Sequence, residues 1–429
     1  MTRRTKPAPP ENPRADQGVP ARRAALRILQ GVLDRGTPFD AAANAADDLP
    51  MPQDRALARS LALHVLRWLP DLDALIDSAT QRMLPDDARA RHVLRIALAG
   101  WLRLGTPPHA VVSTALPLLE GGPRRLAHGV LGTLIRRPAT LPPVPMLPPV
   151  FAIRWATDWG AAAAEAAAIA MADEPATDLT LKDPAQTAHW VAALEGTSLA
   201  PGHVRTTMKG SVTQWPGFAE GAWWVQDFAA SLPARLLGAA PGAHVLDLCA
   251  APGGKTLQLA AAGCKVTALD VNEARLSRIL ENLDRTGLAA TLIAADALRW
   301  QPNTLFDHIL IDAPCSATGI FRRHPDVLHL KGATDLGPIT LLQAALLRRA
   351  AAWLKPGGTL IYATCSLDPR EGERIAERII AGLPRAPFAP EELPAGLKPT
   401  PEGWLRTLPG QVEGGLDGFF IGRFRKLAD

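Results

Sequence analysis

Apolar residues in the first third of the chain recur every three or four positions, the spacing that places them on one face of a helix. The pattern is carried by Leu26, Leu29 and Leu33, by Val93, Ile96, Ala97, Gly100, Trp101 and Leu104, and by Leu126, Val130 and Leu134. No strand-like alternation interrupts it between residues 21 and 140. We therefore predict an all-α domain over residues 21–140.

Three further segments surround this domain or follow it. Residues 1–20 are basic and rich in proline, which predicts a disordered arm. The stretch LPPVPMLPPV at 141–150 cannot continue a helix, and we predict a semi-rigid linker there. Residues 151–222 combine one helical pattern, WATDWGAAAAEAAAIAMA, with the strand-like runs DLTLK and HVRTT, and they predict a small connecting module.

Strand-length apolar runs alternate with helical patterns in the last part of the chain, residues 223–429. The runs are HVLDL, KVTALD, TLIAAD, FDHILID and TLIYAT. Helix-patterned stretches such as EARLSRILENLDRTG and ITLLQAALLRRAAAWL lie between them. This alternation predicts a Rossmann-like α/β domain with a parallel sheet covered on both faces. Such domains bind ligands at the carboxyl ends of the strands.

Charge is divided unevenly along the chain. Residues 1–140 hold 20 Lys+Arg and 13 Asp+Glu, a net charge of +7, so the total of +4 leaves −3 for the remainder. The helical domain is therefore the better candidate for a polyanion-binding surface. A solvated helical face explains the same excess, so charge suggests RNA without establishing it.

Composition excludes several classes of protein. Hydrophobic residues make up 47% and charged residues 21%, which is typical of a globular chain rather than a disordered one. The N-terminus lacks the apolar stretch of a secretory signal, and Glu165 and Asp173 interrupt the alanine-rich run, so we expect no membrane span. The four cysteines form neither a disulfide framework nor a CxxC metal site. We expect a cytoplasmic, monomeric protein without a bound metal.

The first strand of the α/β domain leads into VLDLCAAPGGKTLQL at 245–259, where small residues let the backbone approach a ligand closely. A P-loop would require glycine where Cys249 stands, which disfavours a nucleoside triphosphatase. Asp270 ends the second strand, where a carboxylate can accept hydrogen bonds from ribose hydroxyls. Asp296 ends the third strand and can accept from an adenine amino group. Helix or loop capping explains either carboxylate as well.

Two cysteines follow the fourth and fifth strands. The fourth strand opens into DAPCSATGIFRRHPD, which contains Cys315, and the fifth into TCSLDPREGE, which contains Cys365. Cysteine is most often an inert buried hydrophobe. Here, however, both cysteines follow strand ends and are flanked by Pro, Ser and Thr, so we predict two reactive thiols facing one crevice.

The strings CAAPGGK, DAPCSATGIFRRHPD and ATCS, in this order, are similar to the motifs of the RsmB (Sun/Fmu) methyltransferases, a subgroup of the RNA 5-methylcytosine methyltransferases. The segments RRAALRILQGVL, DRALARSLALHVLR, GTPPHAVVSTALPL and AHGVLGTLIRR resemble, in order, the helices of the NusB family of RNA-binding bundles. The subgroup carries such a bundle before a Rossmann-like class I methyltransferase domain. The resemblance thus covers nearly the whole chain and implies methylation of a cytosine at C5 in 16S ribosomal RNA, the RNA of the small subunit.

The resemblance also implies roles for particular residues, with S-adenosylmethionine as the cofactor. Asp270 would hold the ribose, Asp296 would lie near adenine, and Asp312 would both bind the cofactor and begin the catalytic turn. Cys365 would be the nucleophile that adds to C6, and Cys315 would assist the later release of the C5 proton. The residues of the cofactor loop would be Cys249, Ala250, Ala251, Pro252, Gly253, Gly254 and Lys255.

The chemistry of the reaction supports these residue types. Cytosine C5 is a poor nucleophile until a thiolate adds at C6. The addition builds negative charge on the ring, and Asp312 could relieve it as a general acid at N3. The target base must be unpaired or flipped out to admit the attack.

Several other residues carry weaker expectations. The loop residues Arg322, Arg323 and His324 are positioned to touch RNA phosphate or base, although a simple solvated loop would also contain them. The family also places a segment like WWVQDFAA, with Gln226 and Asp227, near cofactor and substrate. DGFFIGRF resembles the closing strand of the family, with Asp417 at its start and Phe419 and Phe420 as packing residues.

Two positions depart from the pattern of the family. LTLK at 179–182 replaces an LRxN-like run, and Asp368 stands where a hydrophobic residue is usual. Two alternative functions stay open: the same chemistry on another RNA such as transfer RNA, and a non-catalytic RNA-binding assembly factor. We expect RNA rather than DNA as the partner in every case.

Overall fold

The computed structural model describes residues 18–137, 139–330, 335–378 and 382–428. The described residues group into two compact units. The helical unit contains residues 18–151, 171–173 and 324–330, and the α/β unit contains 152–170, 174–323 and the described residues after 334. Most of the predicted N-terminal arm lies outside the described residues, and the first helix begins at Val19.

The helices are α1 Val19–Leu29, α2 Phe39–Ala42, α3 Pro52–Arg67, α4 Leu69–Ser78, α5 Arg89–Leu102, α6 Pro108–Ala115, α7 Gly121–Arg136, α8 Pro149–Trp159, α9 Ala161–Met171, α10 Thr187–Ala193, α11 Phe228–Leu236, α12 Gly254–Ala261, α13 Glu273–Thr286, α14 Val327–Leu330, α15 Gly337–Trp353 and α16 Glu373–Ala376. The strands are β1 Thr177–Leu181, β2 His203–Thr206, β3 Trp223–Val225, β4 His244–Leu248, β5 Lys265–Asp270, β6 Thr291–Ala294, β7 Phe306–Asp312, β8 Leu354–Thr364, β9 Leu405–Thr407 and β10 Phe419–Arg425.

The helical unit is built from α1 to α7 around one apolar core, as the spacing of its leucines and valines predicts. Leu26, Leu29 and Val93 are almost completely buried. Leu126 is an exception, because the buried face of α7 runs through Ala127, Val130, Leu131 and Leu134 and leaves Leu126 38% exposed. The short helix α14 joins this unit from far along the chain, and His329 Nε2 lies 2.7 Å from the Leu66 carbonyl oxygen.

The stretch predicted as one helix after the proline-rich segment forms two, α8 and α9. Gly160 separates them with a φ of +88°, a left-handed conformation that glycine adopts without strain. Beyond them, β1, β2 and β3 form a small antiparallel sheet in the order β2-β1-β3. The third strand, Trp223–Val225, thus pairs with the module that precedes the main sheet.

The main sheet has seven strands in the order β6-β5-β4-β7-β8-β10-β9. The five strands expected from the apolar runs, β4 to β8, are parallel, which confirms the Rossmann-like prediction. The last two strands, β10 and β9, are antiparallel, and β9 has no counterpart among the predicted strands. Parallel order brings the carboxyl ends of β4, β5, β7 and β8 to one edge, where the predicted motifs lie.

Within the described ranges, none of the helices combines the length and the apolar character needed to cross a membrane.

Candidate active site

The loop between β4 and α12 begins the site. Cys249 has a φ of +62° and Gly253 a φ of +103°, so the chain turns sharply before α12 starts at Gly254. A Cβ on Gly253 would lie 2.8 Å from the side chain of Ile279, and one on Gly254 would lie 3.1 Å from that of Gln226. Both glycines are therefore needed for close packing, and the backbone of the loop stays free of side chains at this point.

Two buried carboxylates flank this loop. Asp270 at the end of β5 accepts hydrogen bonds from the backbone N–H groups of Ala251, at 3.1 Å, and Asn272, at 2.9 Å. Asp247 on β4 accepts from Thr256 Oγ1 at 2.6 Å, while its Oδ1 has no hydrogen-bond partner among the described residues. Burial raises the pKa of Asp247 to about 7. A carboxylate at a strand end with spare acceptor positions suits a ligand that carries hydroxyl or amino groups.

Asp296 lies at the same edge of the sheet, two residues after β6. Its Oδ1 accepts a hydrogen bond from the Leu298 N–H at 2.8 Å, so the carboxylate caps its own loop, and its side chain is 46% exposed. The capping and ligand-binding interpretations are compatible, since Oδ2 makes only a 3.8 Å contact with Arg299 Nε.

Cys249, in the loop between β4 and α12, is not a reactive thiol. Burial, followed by the charges of Asp270, Asp312 and Asp247, raises the pKa of the Cys249 thiol, which disfavours its thiolate.

The two predicted cysteines come together. β7 and β8 are neighbours in the sheet with Asp312 paired to Ala363, so the loops that follow them start side by side. Cys315 Sγ and Cys365 Sγ are 3.3 Å apart, and both residues are partly exposed. The backbone supports this arrangement, because the Gly319 N–H donates to the Cys365 carbonyl oxygen at 2.9 Å.

A buried lysine links the loop between β4 and α12 to the turn that follows β7. Lys255 Nζ lies 2.7 Å from Asp312 Oδ2 and 5.5 Å from the centre of the Phe419 ring. Burial alone would lower the pKa of Lys255, but the charge of Asp312 and its hydrogen bond outweigh burial and raise it. Lys255 is therefore a cation held beside the Asp312 carboxylate.

The surroundings of Cys315 favour its protonated form. The hydrogen bond to Cys365, burial, and the negative charges of Cys365 and Glu371 together raise the pKa of Cys315 well above its ordinary value. Cys315 therefore keeps its proton and can donate it in a hydrogen bond to the sulfur of Cys365. A thiol donor at 3.3 Å stabilises negative charge on the neighbouring sulfur.

Comparison with known proteins matches both halves of the chain. Residues 234–425 match the family model described as 16S rRNA methyltransferase RsmB/F, and residues 19–122 match that of the NusB family. A protein named Ribosomal RNA small subunit methyltransferase B from Salmonella arizonae is 34% identical over 94% of this chain and 98% of its own length. A protein of the same name from Pseudomonas putida is 34% identical over 95% and 98%. The chain belongs to the RsmB/F methyltransferase family.

A solved structure of a methyltransferase homolog protein from Pyrococcus horikoshii is also similar. It is 28% identical with a TM-score of 0.55, and the match covers 69% of this chain and 98% of that one. The cofactor of this RsmB/F methyltransferase is S-adenosylmethionine, and the chain is an rRNA methyltransferase. The glycine turn, the unpartnered Asp247 oxygen and the Asp270 carboxylate fit an adenosyl amino acid with ribose hydroxyls and an amino group.

The structure corrects one expectation for this methyltransferase. Arg322 and Arg323 were predicted to touch RNA, but their guanidinium groups lie in ion pairs with carboxylates inside the α/β unit. Arg323 Nη2 is 3.0 Å from Asp227, and Arg322 Nη1 is 3.4 Å from Asp417. Arg322 is only 2% exposed. His324, the third residue of that group, lies in the helical unit with Nδ1 3.9 Å from Asp40.

The residues that carried weaker expectations also have defined contacts in the structure. Gln226 packs on the cofactor loop and donates to Gln258 Oε1 at 2.8 Å, whereas Asp227 belongs to the ion pairs of Arg322 and Arg323. Phe419 and Phe420 are buried packing residues, as predicted. The two departures from the family pattern have partners of their own, because Lys182 Nζ donates to the Thr286 carbonyl and Asp368 pairs with Arg370 at 2.6 Å.

Two residues near the site were not predicted from the sequence. Asp247 is visible only as one letter of a strand, and its unpartnered oxygen is a property of the folded chain. Glu371 lies within the TCSLDPREGE string and is completely buried beside the cysteine loops. The described parts of the chain contain no group of three or more His, Cys, Asp or Glu side chains arranged to hold a metal ion.

Proposed function

We propose that this methyltransferase modifies C5 of a specific cytosine in small-subunit ribosomal RNA through a covalent adduct between Cys365 and C6 of the base. The observation that carries the proposal is the 3.3 Å separation of Cys315 Sγ and Cys365 Sγ at the ends of adjacent strands. A second thiol beside a nucleophilic thiol is what this reaction needs, because one sulfur must attack and leave while another group handles the C5 proton.

The cofactor is assigned to the loop that contains Cys249, Ala250, Ala251, Pro252, Gly253, Gly254 and Lys255. Asp270 would accept from the ribose hydroxyls, and Asp296 would use its free oxygen for the adenine amino group. Asp247 offers a further acceptor at the same edge. The bound cofactor supplies an electrophilic methyl group next to the catalytic turn.

The attack is assigned to Cys365. Because the pKa of Cys315 is raised, Cys315 keeps its proton and can donate a hydrogen bond to the Cys365 sulfur, which stabilises negative charge there when Cys365 reacts as a thiolate. The thiolate adds to C6, and electron density moves through the ring toward N3. C5 thereby becomes enamine-like and can take up the methyl group.

The charge that develops at N3 is assigned to the pair of Asp312 and Lys255. Their 2.7 Å contact lets the Lys255 ammonium protonate the Asp312 carboxylate, which passes that proton to N3 and returns to the carboxylate, leaving Lys255 as the neutral amine. This arrangement supports the general-acid role of Asp312 without requiring a free carboxylic acid in the resting enzyme. Lys255 also contacts the face of Phe419, which holds the ammonium in one position.

Release of the product is assigned to Cys315. Once Cys365 is bound to C6 it carries no negative charge, so two of the causes that raise the pKa of Cys315 disappear. Cys315 can then lose its proton to water and, as a thiolate, take the proton from C5. The electron pair of that C–H bond forms the C5–C6 double bond and expels the Cys365 thiolate.

The RNA partner is supported by three observations. The curated relatives are named as methyltransferases of the small ribosomal subunit, and the helical unit matches the NusB family. The helical domain also holds the positive part of the chain. The target cytosine would have to leave its helix to reach Cys365.

The test is methyl transfer from labelled S-adenosylmethionine to small-subunit ribosomal RNA, with the product mapped by bisulfite sequencing. We expect one 5-methylcytosine with the native chain and none with Cys365→Ala. Cys264→Ala is the matched control, because Cys264 is a buried thiol on the opposite edge of the sheet, at the start of β5. Full methyl transfer by Cys365→Ala would show that Cys365 is not the nucleophile. Transfer only to another RNA would show that small-subunit ribosomal RNA is not the substrate.

A further inference from the structure

Both catalytic loops end on the same buried side chain. Cys315 is followed by Ser316 and Cys365 by Ser366, and each serine hydroxyl donates a hydrogen bond to Glu371 Oε2. The Ser316 N–H donates to Glu371 Oε1 at 2.8 Å. The two serine hydroxyl oxygens are themselves 3.1 Å apart. One carboxylate therefore accepts hydrogen bonds from the residue that follows each cysteine.

A helix supports this carboxylate from a third direction. Gln343 on α15 donates from Nε2 to Glu371 Oε1 at 3.2 Å and to the Pro314 carbonyl at 2.8 Å. The Tyr362 hydroxyl donates to the Glu371 carbonyl at 2.6 Å and so fixes its backbone. Glu371 and Gln343 are completely buried, which excludes water as a competing partner. The carboxylate is thus rigid and fully used as an acceptor.

We propose that Glu371 is a positioning residue that sets the separation of the Cys315 and Cys365 sulfur atoms by holding the loops that follow β7 and β8. This follows from geometry, because the Glu371 carboxylate accepts hydrogen bonds from the serine that follows each cysteine. Among the described residues, Thr318 Oγ1 also links the two loops, at 3.3 Å from Ser366 Oγ, but it makes no hydrogen bond with the rest of the Glu371 network beyond the serines. The negative carboxylate is also one of the causes that raise the pKa of Cys315, so the position of Glu371 can be followed through the titration of that thiol as well as through activity.

Two substitutions of Glu371 separate the effect of its side-chain length from the effect of its charge. Glu371→Gln has the same size and keeps one oxygen acceptor for the Ser316 N–H, but it is neutral. Glu371→Asp keeps the charge but is one methylene shorter, so it cannot hold both serines. The matched control is Glu392→Gln, which removes a carboxylate paired with Arg423 elsewhere in the α/β unit.

The first measurement needs neither RNA nor turnover. In a Cys365→Ala background, the rate at which iodoacetamide alkylates Cys315 is followed against pH by peptide mass spectrometry. We expect the midpoint of this curve of alkylation rate against pH to fall by about one pH unit or more in Glu371→Gln, because a nearby negative charge has been removed. Glu371→Asp and Glu392→Gln should show the same midpoint pH as the Cys365→Ala protein without a second substitution.

The second measurement is steady-state methyl transfer with Cys365 intact. We expect both Glu371 variants to lose about 10²-fold in kcat, the typical effect of displacing a reacting group by about 1 Å, with unchanged KM for RNA and cofactor. An unchanged alkylation midpoint and unchanged kcat in Glu371→Gln would overturn the proposal. A loss of kcat that only follows lost cofactor binding and a lower Tm would overturn it as well.

This inference rests on the proposed function, and the two can fail separately. If Cys365→Ala retains methyl transfer, the assigned nucleophile is wrong, while the alkylation midpoint of Cys315 still reports directly on Glu371. If Cys365→Ala is inactive but Glu371→Gln shifts neither midpoint nor kcat, the proposed function stands and the positioning role does not.

Discussion

Removal of Arg323 should destabilise the α/β unit strongly. Three carboxylates, those of Asp178, Asp227 and Asp417, face the guanidinium groups of Arg205, Arg322 and Arg323. The side chains of Asp178, Asp227 and Asp417 are only 0%, 5% and 2% exposed. Arg323→Ala would leave three buried carboxylates with two cations.

The magnitude follows from the cost of a buried charge without its partner. Breaking a buried ion pair by removing one partner typically costs about 3–5 kcal/mol. In a domain of this size each kcal/mol lowers Tm by roughly 2–4 °C, so we expect a loss on the order of 10 °C. Lys355→Ala is the control, because its pair with Asp307 is partly solvated and should be worth less than about 1 kcal/mol.

The loss of stability in Arg323→Ala should be larger at pH 8 than at pH 5. Burial, with the charge of Asp227, raises the pKa of Asp417 to about 7, above an unfolded value of about 3.9. The folded state therefore holds the extra proton between these values, and stability from this group falls as pH rises through that window. At pH 5 Asp417 is protonated and two carboxylates face two cations in Arg323→Ala, so the loss should be smaller than at pH 8.

Differential scanning calorimetry of the full chain measures this effect. The transition of the α/β unit is identified as the one that S-adenosylmethionine moves upward, because a ligand stabilises only the unit that binds it. A loss in Arg323→Ala no larger than that of Lys355→Ala, or one that is equal at pH 5 and pH 8, would refute the reasoning.

Three further outcomes concern the active site. Cys315→Ala should form the Cys365 adduct but fail to resolve it, so a protein–RNA complex stable in denaturing gels should accumulate; normal turnover without adduct contradicts the role in proton release. Asp312→Asn should lower kcat by about 10²–10⁴-fold, the usual range for a general acid, in assays that saturate the variant with cofactor according to its cofactor affinity measured by calorimetry. Asp270→Asn should weaken that affinity by about 1.5–3 kcal/mol, the value of a hydrogen bond to a charged group, and an unchanged Kd would show that the ribose lies elsewhere.

Much of the α/β unit was predictable because its signals are local. Each of the five parallel strands is a short apolar run, and the glycines and cysteines stand at the ends of such runs. The pairing of Cys315 with Cys365 could be anticipated, since consecutive parallel strands bring their carboxyl ends to one edge. The antiparallel strand β9 was not predicted, because Leu405–Thr407 is too short to produce a pattern.

The error over Arg322 and Arg323 has a clear physical reason. A basic pair in a loop is typical of a solvated or nucleic-acid-binding surface, and the sequence does not show which carboxylates pair with it. Their partners Asp178, Asp227 and Asp417 come from three distant segments that only the folded sheet brings together. Glu371 was overlooked for the same reason, since its serine partners lie on two different loops.

The sequence by itself determined the periodic features of this protein: a helical unit, a parallel sheet, a glycine turn after the first strand, and two cysteines after neighbouring strands. Only the tertiary structure decided which charges are buried, which carboxylate joins the two cysteine loops, and where Lys255 meets Asp312. Periodicity and turn chemistry act between residues close in the chain, whereas desolvation and pairing of charges depend on groups that meet only after folding.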